Sequence, residues 1–321
     1  MAAKAGVMRR MMRGAAVLAL AAGSLTVGGC RTNPTTGRSQ FQALSRDQEI
    51  ALGVQASPQM TNEFGGRVND AVLQAYVDGI GRALAAQTEA DNPKLPWEFT
   101  LLDSDVINAF ALPGGKVFIT RGLAERLTNE AQMAGVLGPE VGHVTARHIN
   151  DRVAGQMGVG VLAVIAGAAA NSNEVADAAA QLGNIALLSY SRDEEHESDL
   201  LGMRYMSRLN YDPRGQLEVM QILAAASKGA RPPEFLSTHP YPEDRVKRIG
   251  SLLAGEFKAT QNNPQFGLYP ERYQPILARM RALPPARHRA TAGGPQGVDL
   301  AATGSWCLHC AAAESARPGG R

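Results

Sequence analysis

Four stretches of this sequence set metal-binding and proton-moving side chains at spacings that matter. The first is Gly138-Pro139-Glu140-Val141-Gly142-His143. A helix that holds zinc for peptide hydrolysis carries H-E-x-x-H: the two histidines lie one turn apart on one face, and the glutamate beside them is the general base. Here Glu140 and His143 stand in the correct register, and Pro139 stands where the first histidine would be. The second stretch, Glu195-His196-Glu197-Ser198-Asp199, offers two carboxylates at i and i+4, one to ligate an ion and one to support it from behind. The third is Thr238-His239-Pro240, followed by Arg245. The fourth, Asn108-Ala-Phe-Ala-Leu-Pro-Gly-Gly115, leads into Val117-Phe-Ile-Thr120. Each alone has an ordinary explanation: a packed histidine, an acidic first turn complementing a helix dipole, a proline-rich turn, a hairpin.

Such residues meet only if elements bring them together. Ser45-x-x-Gln48 is a capping box and opens a helix through about Gln55. Residues 69–87 place Val72, Leu73, Tyr76, Val77, Ile80 and Leu84 at helical spacing. Trp97 to Leu102 and Lys116 to Thr120 predict a hairpin-like pair of strands around the turn residues Leu112-Pro-Gly-Gly115. Residues 129–149 read as a helix interrupted in pattern only by Pro139. Ser191-x-x-Glu194 is a second capping box, starting a helix that ends near Asn210, and further helices are predicted at 214–228 and 243–253. The stretch 153–173 contains no charge, and its many glycines favour a buried or docking helix over a membrane span. From Pro284 the sequence is a tail without periodicity.

The chain has 321 residues, 45% hydrophobic and 19% charged, which excludes a disordered chain and allows a large core. Its 32 basic and 30 acidic residues give a net charge of +2, too little to argue for a nucleic-acid partner. The three cysteines exclude a disulfide-rich scaffold. The first segment is a different kind of sequence. Residues 1–29 carry Lys4, Arg9, Arg10 and Arg13 and no acid, so their removal turns the net charge to −2. The apolar run Ala15 to Ala22 follows, then Val27-Gly28-Gly29-Cys30, the pattern of a bacterial secretory signal. The run is too short for an ordinary spanning helix. Cys30 directly after small residues resembles a lipobox, with Cys30 acylated as the mature N-terminus. A plain signal peptide with an incidental cysteine and an uncleaved anchor are the alternatives. Arg31 is not the aspartate that marks inner-membrane retention, so the expectation is an outer-membrane lipoprotein facing the periplasm, held in the membrane by its lipid. The C-x-x-C at Cys307 and Cys310 reads as an oxidised or incidental tail pair.

Taken together, in this order, the motifs from about Asn33 to Met280 resemble the HtpX and CAAX-prenyl-protease type of zinc metallopeptidases, in particular its short periplasmic lipoprotein members. The resemblance implies an α+β, mainly α, zincin-like metallopeptidase domain with a helical core and a small antiparallel edge sheet. It implies one Zn2+ ion, with His143 and Glu195 as ligands, Glu140 as base and Asp199 as the supporting acid. His239 would cap the metal in a resting state, and Arg245 would order that loop. The segment Asn108 to Gly115 would be an edge strand beside the site, suited to pairing with an extended substrate, and in a chain that binds without cutting residues 115–120, Gly115 and Val117 among them, would be the edge strand that holds the client. Substrates would be misfolded or unassembled periplasmic and outer-membrane proteins. The organisation expected is a lipoprotein signal peptide at 1–29, a lipidated tether at 30–44, the metallopeptidase-like domain at 45–280 and a disordered tail at 281–321.

Pro139 departs from the pattern. It has no donor atom, and it lacks the N–H that would bond the carbonyl of Gly135; proline inside a helix costs about 3 kcal/mol. One repair makes His239 a permanent third ligand beside His143 and Glu195. His148 is a poorer substitute, since continuing the helix turns it about 140° away from His143, and His196 points to another face than Glu195. Three readings stay open: an inactive relative that binds client proteins, an enzyme with a rearranged site, or a one-base change from a histidine codon.

Overall fold

The structure is a computed structural model that describes residues 30–89, 95–156, 189–228 and 233–287. The signal segment, most of the apolar stretch 153–173 and the Cys307–Cys310 pair lie outside the described residues. Among the described residues no helix is long and apolar enough to cross a membrane. The chain runs β1 (Cys30–Thr32), β2 (Ser39–Phe41), α1 (Arg46–Glu63), α2 (Ala71–Ala85), β3 (Glu98–Leu102), β4 (Ala109–Leu112), β5 (Lys116–Thr120), α3 (Arg121–Ala124), α4 (Glu130–Thr145), α5 (His148–Gln156), α6 (Arg192–Arg208), α7 (Arg214–Ala226), α8 (Phe235–Thr238), α9 (Pro242–Ala254) and α10 (Pro270–Arg281). It is a mainly helical α+β fold.

The central element is α4, all of whose residues are buried. Asn129 caps it by accepting from the Gln132 N–H, and the helix is continuous through Pro139. Its glycines let neighbouring backbones come close. A Cβ on Gly135 would lie 2.7 Å from Gln216 Cα of α7, one on Gly138 would lie 3.0 Å from Gly202 Cα of α6, and one on Gly142 would lie 3.0 Å from the Ser198 carbonyl. The α6 partner begins at the expected capping box, with Ser191 N–H bonded to Glu194 and Glu194 N–H bonded to Ser191. These contacts hold the Glu140 and His143 helix against the Glu195 and Asp199 helix with little room between.

The small sheet differs from the expected hairpin. Strand β3 pairs with β5 in parallel, Glu98 opposite Lys116, and the antiparallel partner of β5 is β4, Ala109 opposite Ile119. The order is β3-β5-β4, so the sheet is mixed and β5 is its centre. The reason lies in the turn at 113–115, where Gly114 and Gly115 adopt φ of +77° and +91° and fold β4 back onto β5. The two edges are unequal. Along β3, the Phe99 and Leu101 N–H groups donate to side chains of α2, Asp78 and Gln74. Along β4, Asn108 and Thr120 form a hydrogen-bonded pair through Thr120 N–H to Asn108 C=O. The alternation of an antiparallel ladder then turns the backbone of Ala109 and Ala111 away from β5, although both residues are buried.

Residues 30–44, expected as a tether, have structure of their own. Strands β1 and β2 pair antiparallel, Cys30 opposite Phe41, and Asn33, Gln40 and Leu44 are buried. Asn33 Nδ2 donates to the Thr145 carbonyl and Gln40 Nε2 to the Ala146 carbonyl. These carbonyls end α4 and have no partner within the helix, so the N-terminal segment caps the helix from outside. Residues 281–287 also pack on the domain: Arg121 donates to the Pro284 carbonyl, and Arg287 N–H to that of Asp103.

Candidate metal centre

Helices α4 and α6 and the loop after α8 converge on one buried cluster. His143, Glu195 and His239 each bring a donor atom within 4.8 Å of the others. The short helix α8 places His239, whose N–H donates to the Phe235 carbonyl and whose ring stacks on Phe235 at 4.3 Å. Its Nδ1 lies 2.9 Å from Glu195 Oε1, and its Nε2 lies 3.4 Å from Glu140 Oε1. Arg245 on α9 ties the back of the cluster together. Its Nε and Nη2 donate to the two oxygens of Asp199 at 2.9 and 2.6 Å, and its Nη1 is 2.8 Å from Glu195 Oε2. Glu140, His143, Glu195, Asp199, His239 and Arg245 are thus brought together, all buried.

Burial sets the electrostatics. It pushes the Glu140 carboxyl up, and the nearby charge of Glu195 adds to the push, against the pull of His239. It drives His143 well down, so the ring is neutral, the form that offers a lone pair. Burial also opposes the charge on Glu195, but Arg245 and His239 outweigh it, and that carboxyl sits below its usual range. The result is a carboxylate kept ionised by its partners, a neutral imidazole and a carboxyl of raised proton affinity side by side.

The donor set fits zinc. Two imidazoles and one carboxylate are a known three-ligand set for a catalytic zinc site. His143 Nε2 and both Glu140 oxygens are buried without a hydrogen-bond partner, and buried polar atoms are rarely left so. Pro139 contributes nothing to this set. Its ring faces α6, where a Cβ on Gly202 would come within 2.7 Å of Pro139 Cδ.

The other expected positions are less uniform. Asn108 adjoins β4, which is an edge, and Ile107 beside it accepts from Phe235 N–H, linking that edge to the His239 loop. Gly115 lies in the turn, and Val117 lies on the central strand β5, so residues 115–120 are not an edge. His196 turns away and meets Asp244 at 3.1 Å. His148 does not point away: α4 ends at Thr145, Arg147 adopts φ of +61°, and the turn brings His148 Nδ1 to 2.8 Å from His143 Nδ1. Two site neighbours carry no motif in the sequence. Tyr190 stacks on the His143 ring at 3.7 Å, and the Arg152 guanidinium carbon lies over the Tyr190 ring, 3.1 Å from its centroid. Gln216 of α7 donates to Asp199 Oδ1 at 2.8 Å.

The family model for Peptidase family M48 matches residues 71–253, which contain the whole cluster. This chain belongs to peptidase family M48. M48 metallopeptidases are zinc-dependent, in agreement with the donor set. Among its relatives, a beta-barrel assembly-enhancing protease of Yersinia pestis is 35% identical over 78% of this chain and 51% of its own length. One from Escherichia coli is 34% identical over 67% of this chain and 46% of its own length. A mitochondrial metalloendopeptidase of Schizosaccharomyces pombe is 29% identical over 68% of this chain and 65% of its own. The chain spans about half the length of the beta-barrel assembly-enhancing proteases it matches.

Proposed function

We propose that this chain is a zinc metalloendopeptidase in which His143, Glu195 and His239 hold the ion and Glu140 is the general base. The observation that carries the reading is the convergence of three buried donor atoms within 4.8 Å, beside a Glu140 carboxyl with no hydrogen-bond partner. Zinc, when bound, supplies Lewis-acid polarisation of the scissile carbonyl. The chain's own groups supply the rest. Glu140 takes a proton from the attacking water on a carboxylate oxygen and returns it to the departing amine. Asp199 and Arg245 hold Glu195 in place from behind. The edge of β4 that has no strand partner takes an extended substrate backbone by strand addition.

The names of the relatives and the Cys30 pattern support the cellular role: an outer-membrane lipoprotein, anchored through Cys30 and facing the periplasm, that cuts misfolded or unassembled periplasmic and outer-membrane proteins. Pro139 favours a second reading, a peptidase-like lipoprotein that binds or chaperones clients without cutting them. Casein cleavage by the purified protein, by Glu140→Gln and by Pro139→His separates the two. The metallopeptidase reading expects cleavage by the unsubstituted protein and a loss of about 10²- to 10⁴-fold in Glu140→Gln. Cleavage by Pro139→His alone makes the unsubstituted chain a binder.

A further inference from the structure

Behind His143, on the side away from Glu140 and Glu195, runs a chain of hydrogen bonds that the motifs do not contain. His143 Nδ1 meets His148 Nδ1 at 2.8 Å. His148 Nε2 meets Glu197 Oε2 at 2.9 Å. The same Glu197 oxygen accepts from Arg38 Nη2 at 2.8 Å, and Arg38 belongs to the N-terminal segment that packs on the end of α4. His143 and His148 are both fully buried.

The proton positions in this chain follow from one requirement. If His143 Nε2 is to present a lone pair toward the cluster, its single proton must sit on Nδ1. His148 Nδ1 must then accept, so the proton of His148 sits on Nε2, where it faces a carboxylate. Glu197 is the one kind of group that demands a donor at that position and cannot act as one while ionised. We propose that His148 and Glu197 are positioning residues: they fix the His143 tautomer and ring so that Nε2 is the bare nitrogen facing Glu195 and His239. This inference rests on the metal reading for its purpose, but the tautomer itself is a property of the protein without metal. A ligating histidine whose far nitrogen is held in this way binds metal more tightly, and removing the support costs about 10- to 100-fold in affinity.

Two measurements on the full-length protein separate the inference from the metal reading. In the zinc-free protein, ¹⁵N correlation spectra of the imidazoles are expected to place the protons on His143 Nδ1 and His148 Nε2. In Glu197→Gln, which keeps the size of the side chain, His148 is expected to lose its single tautomer. A proton on His143 Nε2 overturns the proposal whether or not zinc binds. Competition titration with zinc is expected to show a loss of at least about tenfold for His148→Leu, while His148→Asn, which keeps an acceptor near the Nδ1 position, stays close to the unsubstituted protein. A role in filling space alone predicts the opposite order, and that order, or equal affinities, overturns the proposal. A chain that binds no zinc at all removes the metal reading, and the spectra then decide the tautomer on their own.

Discussion

Arg245 shows what the cluster costs and what holds it. Three ionisable groups, Glu195, Asp199 and Arg245, are buried together and bonded to one another, with His239 against Glu195 and Gln216 against Asp199 as their further polar partners. Removing one partner of such a group leaves uncompensated buried charge, at a cost of about 3–5 kcal/mol. Arg245→Ala is therefore expected to lower the urea-unfolding free energy by about that much, and Arg245→Lys, which keeps the charge but not the planar fork, by less. Equal stability of Arg245→Ala and the unsubstituted protein contradicts this account of the cluster. Much of the site was legible at this scale. Glu140, His143, Glu195, His239 and Arg245 announce themselves by residue type and by spacings that a helix or a tight loop converts into proximity. Tyr190 and Gln216 do not, because their roles come from elements that meet only in three dimensions: a ring stacked on His143 and an amide reaching from α7 to Asp199. His148 was misplaced by extending the α4 periodicity past its end, since nothing in Ala146-Arg147 marks the left-handed residue that turns the chain.

Between elements, the glycines of α4 decide how closely the ligand-bearing helices approach. Gly135 is packed backbone to backbone, and an added methyl would meet Gln216 Cα. Gly79 in α2 has nothing within 4 Å of that position. Gly135→Ala is expected to destabilise by about 1–3 kcal/mol through overpacking, and to disturb Gln216, which bonds Asp199. Gly79→Ala is expected to stabilise by about 0.5–1 kcal/mol through helix propensity. Thermal melts of the two variants check the pair, and a shift of the same sign in both contradicts the packing read here. The helices were well marked in the sequence: the two capping boxes at Ser45 and Ser191 form as the pattern demands, with α1 running on through Pro58 to Glu63. The sheet was less legible. Ala-Phe-Ala-Leu is too short and too uniform to declare a strand by its own pattern, so β4 is expected only through the family resemblance, and the hairpin-like pairing expected of β3 and β5 gives way to a parallel one because the chain crosses through β4.

Across the molecule, the N-terminal segment and the candidate site are one mechanical unit. The residues after Cys30 close the carbonyl end of α4 through Asn33 and Gln40, and reach Glu197 through Arg38. Anchoring at Cys30 would thus hold the site helix at a fixed distance from the membrane rather than on a loose leash. Gln40→Ala leaves the Ala146 carbonyl without its donor, and a loss of about 1–3 kcal/mol in unfolding free energy is expected; an unchanged value would mean that the segment merely rests on the domain. Composition said nothing of this coupling, because polar residues near a Pro and a Gly look alike whether they are solvated or capping a helix.

The central claim is that three residues of this chain form a metal site despite Pro139, with His239 as a full ligand. Zinc content after equilibration and dialysis tests it most directly, measured on the unsubstituted protein and on His239→Ala. The account predicts one ion per chain in the first and none retained in the second. Zinc absent from the unsubstituted protein, or held equally by His239→Ala, would contradict it.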